Sequence, residues 1–244
     1  MRIAQSRETG RMSSTSPIIL ALDTQDIATA AQWITATRGS IDTYKVGLEF
    51  FLKHGRNGLA QLRDVADFDL FLDLKLHDIP NTVRAAVESV ADLSPKFLTV
   101  HASGGTKMVE AASSVSPSIE IVAVTILTSL SDDEVFEIGY REPALSSAVS
   151  LAALGAHAGA RAIVSSPFEA QGIRQAVGPD VTIITPGVRP AGSDANDQTR
   201  IMTPSQALSN GANYVVIGRP ITSLATVSMS AMGEKAAEIL ASVR

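Results

Sequence analysis

Cysteine is absent from this 244-residue chain. Its absence excludes disulfides, thiolate nucleophiles, iron–sulfur clusters and cysteine-ligated zinc. Two further features are missing: an apolar run long enough to cross a membrane, and a basic face of the kind that binds the phosphate backbone of nucleic acids. The formal net charge at pH 7 is -5. We therefore expect small molecules or other protein chains as partners, with no nucleic acid and no membrane.

The first 16 residues lack hydrophobic periodicity. They are polar and rich in Ser, Thr and Arg, which predicts a disordered N-terminal extension or an upstream start preceding Met12. No signal-peptide pattern is present, so the default location is cytoplasmic. Residues 17–244 are long for one domain, but barrels of alternating strands and helices commonly reach this length. Since no linker or repeat interrupts them, we predict one domain over 17–244.

Short runs rich in Ile, Val and Leu alternate along the chain with Ala-rich stretches of helical character. This alternation is typical of a parallel sheet whose strands are connected by helices. The predicted strands are 18–23, 43–47, 70–75, 97–101, 121–127, 162–165, 182–186 and 214–218. The predicted helices are 26–37, 81–93, 105–114, 144–158, 167–177, 203–209 and 223–243, with a weaker pattern over 51–67, which contains two glycines.

Polar residues and glycines stand at the carboxyl ends of these runs. In a closed barrel all these ends meet on one face, where the active site lies, whereas in an open sheet the first and last strands could not both reach one small ligand. We therefore predict an α/β fold consisting of a single (β/α)8 barrel, the TIM barrel. The residues at the strand ends are Asp23, Lys45, Asp73, Lys75, His101, Thr128, Gly187 and Gly218.

The third run carries the charged residues that point most directly to chemistry. Side chains alternate along a strand, so Asp73 and Lys75 are expected on one face, with Lys45 and Asp78 near them. Neighbouring carboxylates favour the ammonium form of Lys75, which predicts a proton donor and argues against a Schiff-base lysine. Lysines also occupy the places where metal ligands should be, and no pair of histidines has ligand spacing. We expect neither a metal nor an organic cofactor.

Two glycine–arginine segments follow the last two runs and predict a phosphate site. Gly187 and Gly218 let backbone N–H groups approach an anion, while Arg189 and Arg219 supply positive charge. The polar, aperiodic segment 191–198 between them is typical of a mobile active-site lid, from which Gln198 would fold over the ligand.

The run D-L-K-L-H-D-I-P-N-T over 73–82 resembles the signature of the orotidine 5'-phosphate decarboxylase family. The likeness continues through nearly the whole chain after Ser16. It includes the segments A-L-D over 21–23, Y-K-V-G over 44–47, T-V-H-A over 99–102, V-T-I-L-T-S over 124–129, P-G-V-R-P over 186–190 and G-R-P over 218–220.

This resemblance implies a TIM barrel that converts orotidine 5'-monophosphate to UMP and CO2, the last step of UMP synthesis. Lys75 would protonate C6 of the pyrimidine, and Asp73 would face the departing carboxylate. The resemblance also implies a homodimer in which Asp78, Ile79 and Thr82 reach the partner's active site. The remaining contacts implied are ribose hydroxyls for Asp23 and Lys45, the pyrimidine edge for Thr128, and the phosphate end for Arg189, Gln198, Gly218 and Arg219.

Two alternatives remain open. Metal-dependent sugar-phosphate lyases of the hexulose-phosphate synthase and ketogulonate-phosphate decarboxylase type resemble the D-x-K-x-x-D layout, although Lys45 and the I-P-N-T continuation favour the pyrimidine substrate. The other alternative is a non-catalytic phosphate-ligand sensor, which the complete set of lysines and aspartates disfavours. His101 is interpreted as a packed, hydrogen-bonded residue and His77 as a residue that supports the turn, and both stay outside the catalytic set.

Overall fold

The structure, a computed structural model, describes residues 16–190 and 202–244. Eight parallel strands pair in chain order, and β1 also pairs with β8, so the sheet closes into a barrel. The strands are β1 Ile18–Ala21, β2 Thr43–Gly47, β3 Asp69–Leu76, β4 Phe97–His101, β5 Glu120–Val124, β6 Ala162–Val164, β7 Thr182–Thr185 and β8 Tyr214–Ile217.

Helices surround this barrel. None of the described helices is both long and apolar enough to cross a membrane. They are α1 Ile27–Thr37, α2 Leu48–Arg63, α3 Pro80–Val90, α4 Thr106–Ser113, α5 Asp132–Glu137, α6 Ala144–His157, α7 Ala170–Val177, α8 Pro204–Ser209, α9 Arg219–Thr222 and α10 Met229–Ala241. Short 3-10 helices in the described part of the chain cover Ala91–Leu93, Ala102–Gly104 and Ser223–Thr226.

The predicted TIM barrel and its eight strands are confirmed, but three helical segments differ from the prediction. The predicted helix 223–243 is divided, because Ser228 is extended and its side chain accepts a hydrogen bond from the backbone N–H of Ala231 to start α10. The weak pattern over 51–67 is a helix with a kink at Gly55, whose φ is 54°. The unpredicted helix α5 begins at a capping box formed by Ser131 and Glu134.

The barrel interior is filled by described side chains, so a ligand bound by the barrel itself would lie at its end rather than inside it. Phe97 lies between the rings of Phe71 and Tyr214, with centroid distances of 5.7 and 5.6 Å. At the amino-terminal ends of β3 and β4, the ammonium of Lys96 contacts Asp69 at 2.6 Å. The other residues buried in this interior cluster are small or β-branched: Ile19, Ala21, Val122, Ala162, Ile184 and Val216.

The seam between β1 and β8 joins the first and last strands. Ile18 pairs with Val215, whose backbone N–H also donates to the carbonyl of Pro17. Ser16 is buried and its backbone N–H donates to Asp42, so this last residue of the predicted extension packs against the barrel. Residues 1–15, which make up the rest of the predicted extension, lie outside the described residues.

Candidate active site

A cavity of about 320 Å³ lies at the carboxyl ends of the strands. Its polar lining comes from residues far apart in sequence, which the barrel brings together because all its strands end on this face. Of the residues predicted from the sequence, those that line the cavity are Asp23, Lys45, Asp73, Lys75, Thr128, Gly187, Arg189, Gly218 and Arg219.

Four charged side chains form an alternating series along one wall of this cavity. Lys45 Nζ lies 3.2 Å from Asp23 Oδ1 and 3.5 Å from Asp73 Oδ2. Lys75 Nζ lies 2.7 Å from Asp73 Oδ1. We call Asp23, Lys45, Asp73 and Lys75 the charged array. Each lysine is next to a carboxylate, and each oxygen of Asp73 faces a different ammonium.

Asp73 is the central carboxylate of the charged array. Burial raises its pKa, but the ammonium groups of Lys45 and Lys75 and the hydrogen bonds from Lys75 and Thr99 outweigh burial, so the pKa lies below its usual range. Asp73 is therefore ionised at neutral pH and accepts hydrogen bonds without donating any.

The backbone of β3 is irregular at this point. Leu72 pairs with Leu98 on β4, but the next paired residue on β3 is Leu76, opposite Val100. Between these two pairs, residues 73–75 of β3 are opposite a single residue of β4, Thr99. Lys75 lies in this bulge with a φ of 48°, in the left-handed region that side-chain-bearing residues rarely adopt. Strand alternation correctly predicts that Asp73 and Lys75 meet, but not the bulge through which they do so.

The end of the cavity formed by β7 and β8 has the features of an anion site. Gly187 has a φ of 79°, which favours glycine. A Cβ at Gly218 would lie 3.6 Å from Asp23 Oδ2, in ordinary contact. Arg189 is buried, and Arg219 is the first residue of α9. The predicted lid 191–198, including Gln198, falls outside the described residues.

Three predicted site residues lie away from this cavity. Asp78, Ile79 and Thr82 are exposed and do not line it. The carboxylate of Asp78 accepts a hydrogen bond from the backbone N–H of Ile79 at 2.6 Å, at the turn where Pro80 starts α3. The side chain of Ile79 is 66% exposed. Their role in a partner's site stays a prediction.

His77 and His101 form a pair outside the cavity. Their ring centroids are 5.3 Å apart. Burial and then the neighbouring His77 and Lys75 lower the pKa of His101, which favours its neutral form. His101 is half-buried and His77 is exposed, and neither lines the cavity.

Two groups of residues at the site were not predicted from the sequence. Thr99 on β4 contacts both Asp73 and Lys75, and no sequence signal separates it from any other threonine in a strand. Apolar side chains complete the lining of the cavity, which suits a flat ring. These side chains belong to Phe71, Val124, Ile126, Leu127, Val164 and Val216, and their alternation along strands predicted burial in general.

The part of the chain that the structure describes holds no group of three or more metal-ligating side chains. A larger groove of about 620 Å³ lies between α1 and α10. Among the described residues that line it, Glu234 alone is charged, so these residues offer an anionic ligand no positive group.

Comparisons with known proteins agree with this geometry. The family model described as "Orotidine 5'-phosphate decarboxylase / HUMPS family" matches residues 16–230. An orotidine 5'-phosphate decarboxylase of Thermobifida fusca is 52% identical over 207 residues, covering 85% of this chain and 89% of the relative. One from Wolbachia pipientis is 44% identical, covering 88% and 96%. The crystal structure of the Lactobacillus acidophilus enzyme matches with a TM-score of 0.78 at 33% identity, covering 92% of this chain and 99% of that one.

Proposed function

This chain belongs to the orotidine 5'-phosphate decarboxylase / HUMPS family, and we propose that it decarboxylates orotidine 5'-monophosphate to UMP through its charged array, without a metal or organic cofactor. The main observation that supports this proposal is that each carboxylate oxygen of Asp73 contacts a lysine ammonium group inside the cavity. These ammonium groups occupy the positions that a divalent cation bound by Asp73 would need.

The difficult step is the loss of CO2 from C6 of the pyrimidine. The bond between C6 and the carboxylate carbon breaks, and its electron pair stays on C6, where no ring carbonyl delocalises it. An ammonium fixed beside C6 stabilises this charge as it develops and requires no rearrangement at that moment. Lys75 Nζ then transfers a proton to C6, giving UMP, and regains a proton from solvent.

The other residues bind and orient the substrate. Asp73, which is ionised, holds Lys75 and faces the departing carboxylate, while Asp23 and Lys45 bind the ribose hydroxyls. Thr128 contacts the pyrimidine edge at the apolar wall. This division of roles is supported by the positions of the four side chains around one cavity.

The phosphate end supplies binding energy remote from the reacting carbon. Arg189 and Arg219 pair with the phosphate, Gly218 lets the backbone approach it, and Gln198 reaches it from the predicted lid. Energy from such remote contacts is used to hold the reacting groups in position, so phosphorylated substrate should react much better than the nucleoside.

We further infer a homodimer with composite sites and a cytoplasmic location, with no nucleic acid or membrane as partner. Asp78, Ile79 and Thr82 belong to the proposed site but line no part of their own chain's cavity. A two-fold interface would carry each of them into the other subunit's site. The exposed side chain of Ile79 supports this proposal, since an interface would bury it.

The test is turnover of orotidine 5'-monophosphate, followed by the loss of the orotate ultraviolet band, before and after thorough treatment with EDTA. The rate should not change on chelation. Lys75→Ala is the matched control: it should still bind UMP but lose nearly all turnover, because it lacks a group that acts in the transition state.

Two results would contradict the proposal in different ways. Loss of activity on chelation, with recovery on adding Mg²⁺, would favour the metal-dependent sugar-phosphate lyase. Binding of UMP by the wild-type protein without any turnover would favour the phosphate-ligand sensor.

A further inference from the structure

The bulge in β3 leaves the backbone of Lys75 in need of a hydrogen-bond partner. In a regular parallel ladder, backbone N–H groups donate to carbonyls of the neighbouring strand. Between Leu72 and Leu76 the register with β4 shifts, so this ladder is interrupted. A buried N–H without a partner is costly, and the left-handed φ of Lys75 adds strain. Something outside the ladder must stabilise this conformation.

Thr99 supplies the missing partner through its side chain. The backbone N–H of Lys75 donates to the Thr99 hydroxyl at 2.8 Å. The hydroxyl donates its one hydrogen to Asp73 Oδ1 at 3.0 Å. Thr99 is 1% exposed, so water does not compete for either bond.

These contacts close a ring of hydrogen bonds. The Lys75 ammonium donates to the same Oδ1 of Asp73 that accepts from Thr99. Lys75 is thus tied to one carboxylate twice: directly through its side chain, and through Thr99 from its backbone. The direction of each bond is fixed, because an ionised carboxylate only accepts and a backbone N–H only donates.

We propose that Thr99 is a positioning residue for the decarboxylation, whose hydroxyl holds the β3 bulge so that Lys75 presents its ammonium at the fixed place where C6 is protonated. This inference rests on the proposed function, in which Lys75 is the proton donor. Thr99 does not line the cavity and acts through Asp73 and Lys75.

The test compares three variants. Thr99→Val keeps the shape of the side chain but removes the hydroxyl, and Thr99→Ser keeps the hydroxyl. Thr43→Val is the matched control. Like Thr99, Thr43 is a buried threonine in a strand, but unlike that of Thr99 its hydroxyl has no hydrogen-bond partner within the described residues. The measurements are kcat, KM, the affinity for UMP, and hydrogen exchange at the Lys75 amide.

Thr99→Val should lower kcat by about 100-fold, as expected when a reacting group is misplaced by about 1 Å. Its affinity for UMP should stay near the wild-type value, since the ribose and phosphate contacts remain. The Lys75 amide should exchange faster in Thr99→Val alone. Thr99→Ser should recover most of kcat and the amide protection, and Thr43→Val should match the wild type in both.

The inference is overturned if Thr99→Val turns over as fast as Thr43→Val, or if Thr99→Ser is as slow as Thr99→Val. It is also overturned if the Lys75 amide exchanges equally in all variants. Hydrogen exchange at the Lys75 amide can be measured whether or not the protein is catalytically active. Wild-type protein without turnover would therefore refute the proposed function, while unchanged exchange in Thr99→Val would refute the role of Thr99.

Discussion

Asp73 shows how much a single carboxylate organises at this site. Its two oxygens separate two lysines that would otherwise repel each other, and Thr99 adds a third donor. Because the side chain of Asp73 is 11% exposed, these interactions are screened less by solvent than a surface ion pair would be. Replacing Asp73 should therefore affect folding as well as catalysis.

The lowered pKa of Asp73 predicts a pH dependence of stability. The unfolded chain takes up a proton at Asp73 near the ordinary pKa of about 3.9, but the folded chain does so only at lower pH. The stabilisation is therefore full above about pH 5 and is lost as the pH falls through the folded pKa. The difference in free energy of unfolding between wild type and Asp73→Asn should shrink as the pH is lowered from about 6 to about 3.

Denaturant titrations at several pH values measure this difference. Asp180→Asn, at an exposed position, controls for the loss of one carboxylate. A difference for Asp73→Asn that stays constant down to the lowest pH would contradict a lowered pKa.

Arg219 provides a second prediction at this scale. Arg219→Ala should weaken binding of phosphorylated substrate by about 1–3 kcal/mol, the usual effect of losing one charge-assisted contact. The already poor turnover of unphosphorylated orotidine should scarcely change. Arg161→Ala removes the same charge at an exposed position outside the cavity and should affect neither substrate. Equal losses for both substrates would show that Arg219 does not contact the phosphate.

Among the elements, the strands were the easiest to predict. β2 and β4 have the bounds expected from their short runs, because both are rich in the β-branched and aromatic residues that strands favour. The bulge at Lys75 was not predictable, since it depends on a hydrogen bond to Thr99, which lies on another strand. The kink of α2 at Gly55 is an intermediate case: the glycines weakened the helical pattern without indicating a φ of 54°.

The charged array was predictable for a related reason. Asp23, Lys45, Asp73 and Lys75 each stand at or near the carboxyl end of a predicted strand, and a closed barrel brings all such ends to one face. Apolar wall residues such as Ile126 and Val164 carried no comparable signal, because strands contain the same residue types wherever they are buried.

The contact between α10 and α1 depends on Gly233. A Cβ at this position would lie 2.5 Å from the carbonyl oxygen of Ala36, so any side chain must push the two helices apart. Gly233→Val should lower the free energy of unfolding by about 1–3 kcal/mol, the usual cost of overpacking. Thermal unfolding measures the loss. Gly39→Val is the control, since no described atom lies within 4 Å of a Cβ there. Equal melting temperatures for both variants would contradict this account.

For the whole molecule, the proposed composite site makes a quantitative prediction. Lys75→Ala and Asp78→Ala homodimers should each be nearly inactive. After subunit exchange, a hybrid dimer has both defects in one site and none in the other. Random exchange makes about half the dimers hybrid, each with one intact site, so about a quarter of wild-type activity should return. If mass measurements confirm exchange but activity does not reappear, Asp78 acts in its own subunit.

The pairing of β1 with β8 also affects how the chain folds during its synthesis. During synthesis β1 emerges before the other strands, but β8, whose Val215 pairs with Ile18 of β1, emerges after them. Until then one edge of β1 has unpaired N–H and C=O groups, and such edges can pair with other chains. Contacts between residues this far apart in sequence also form slowly. The ribosome must therefore release most of the chain before the barrel can close, and the incomplete sheet needs protection from aggregation in that interval.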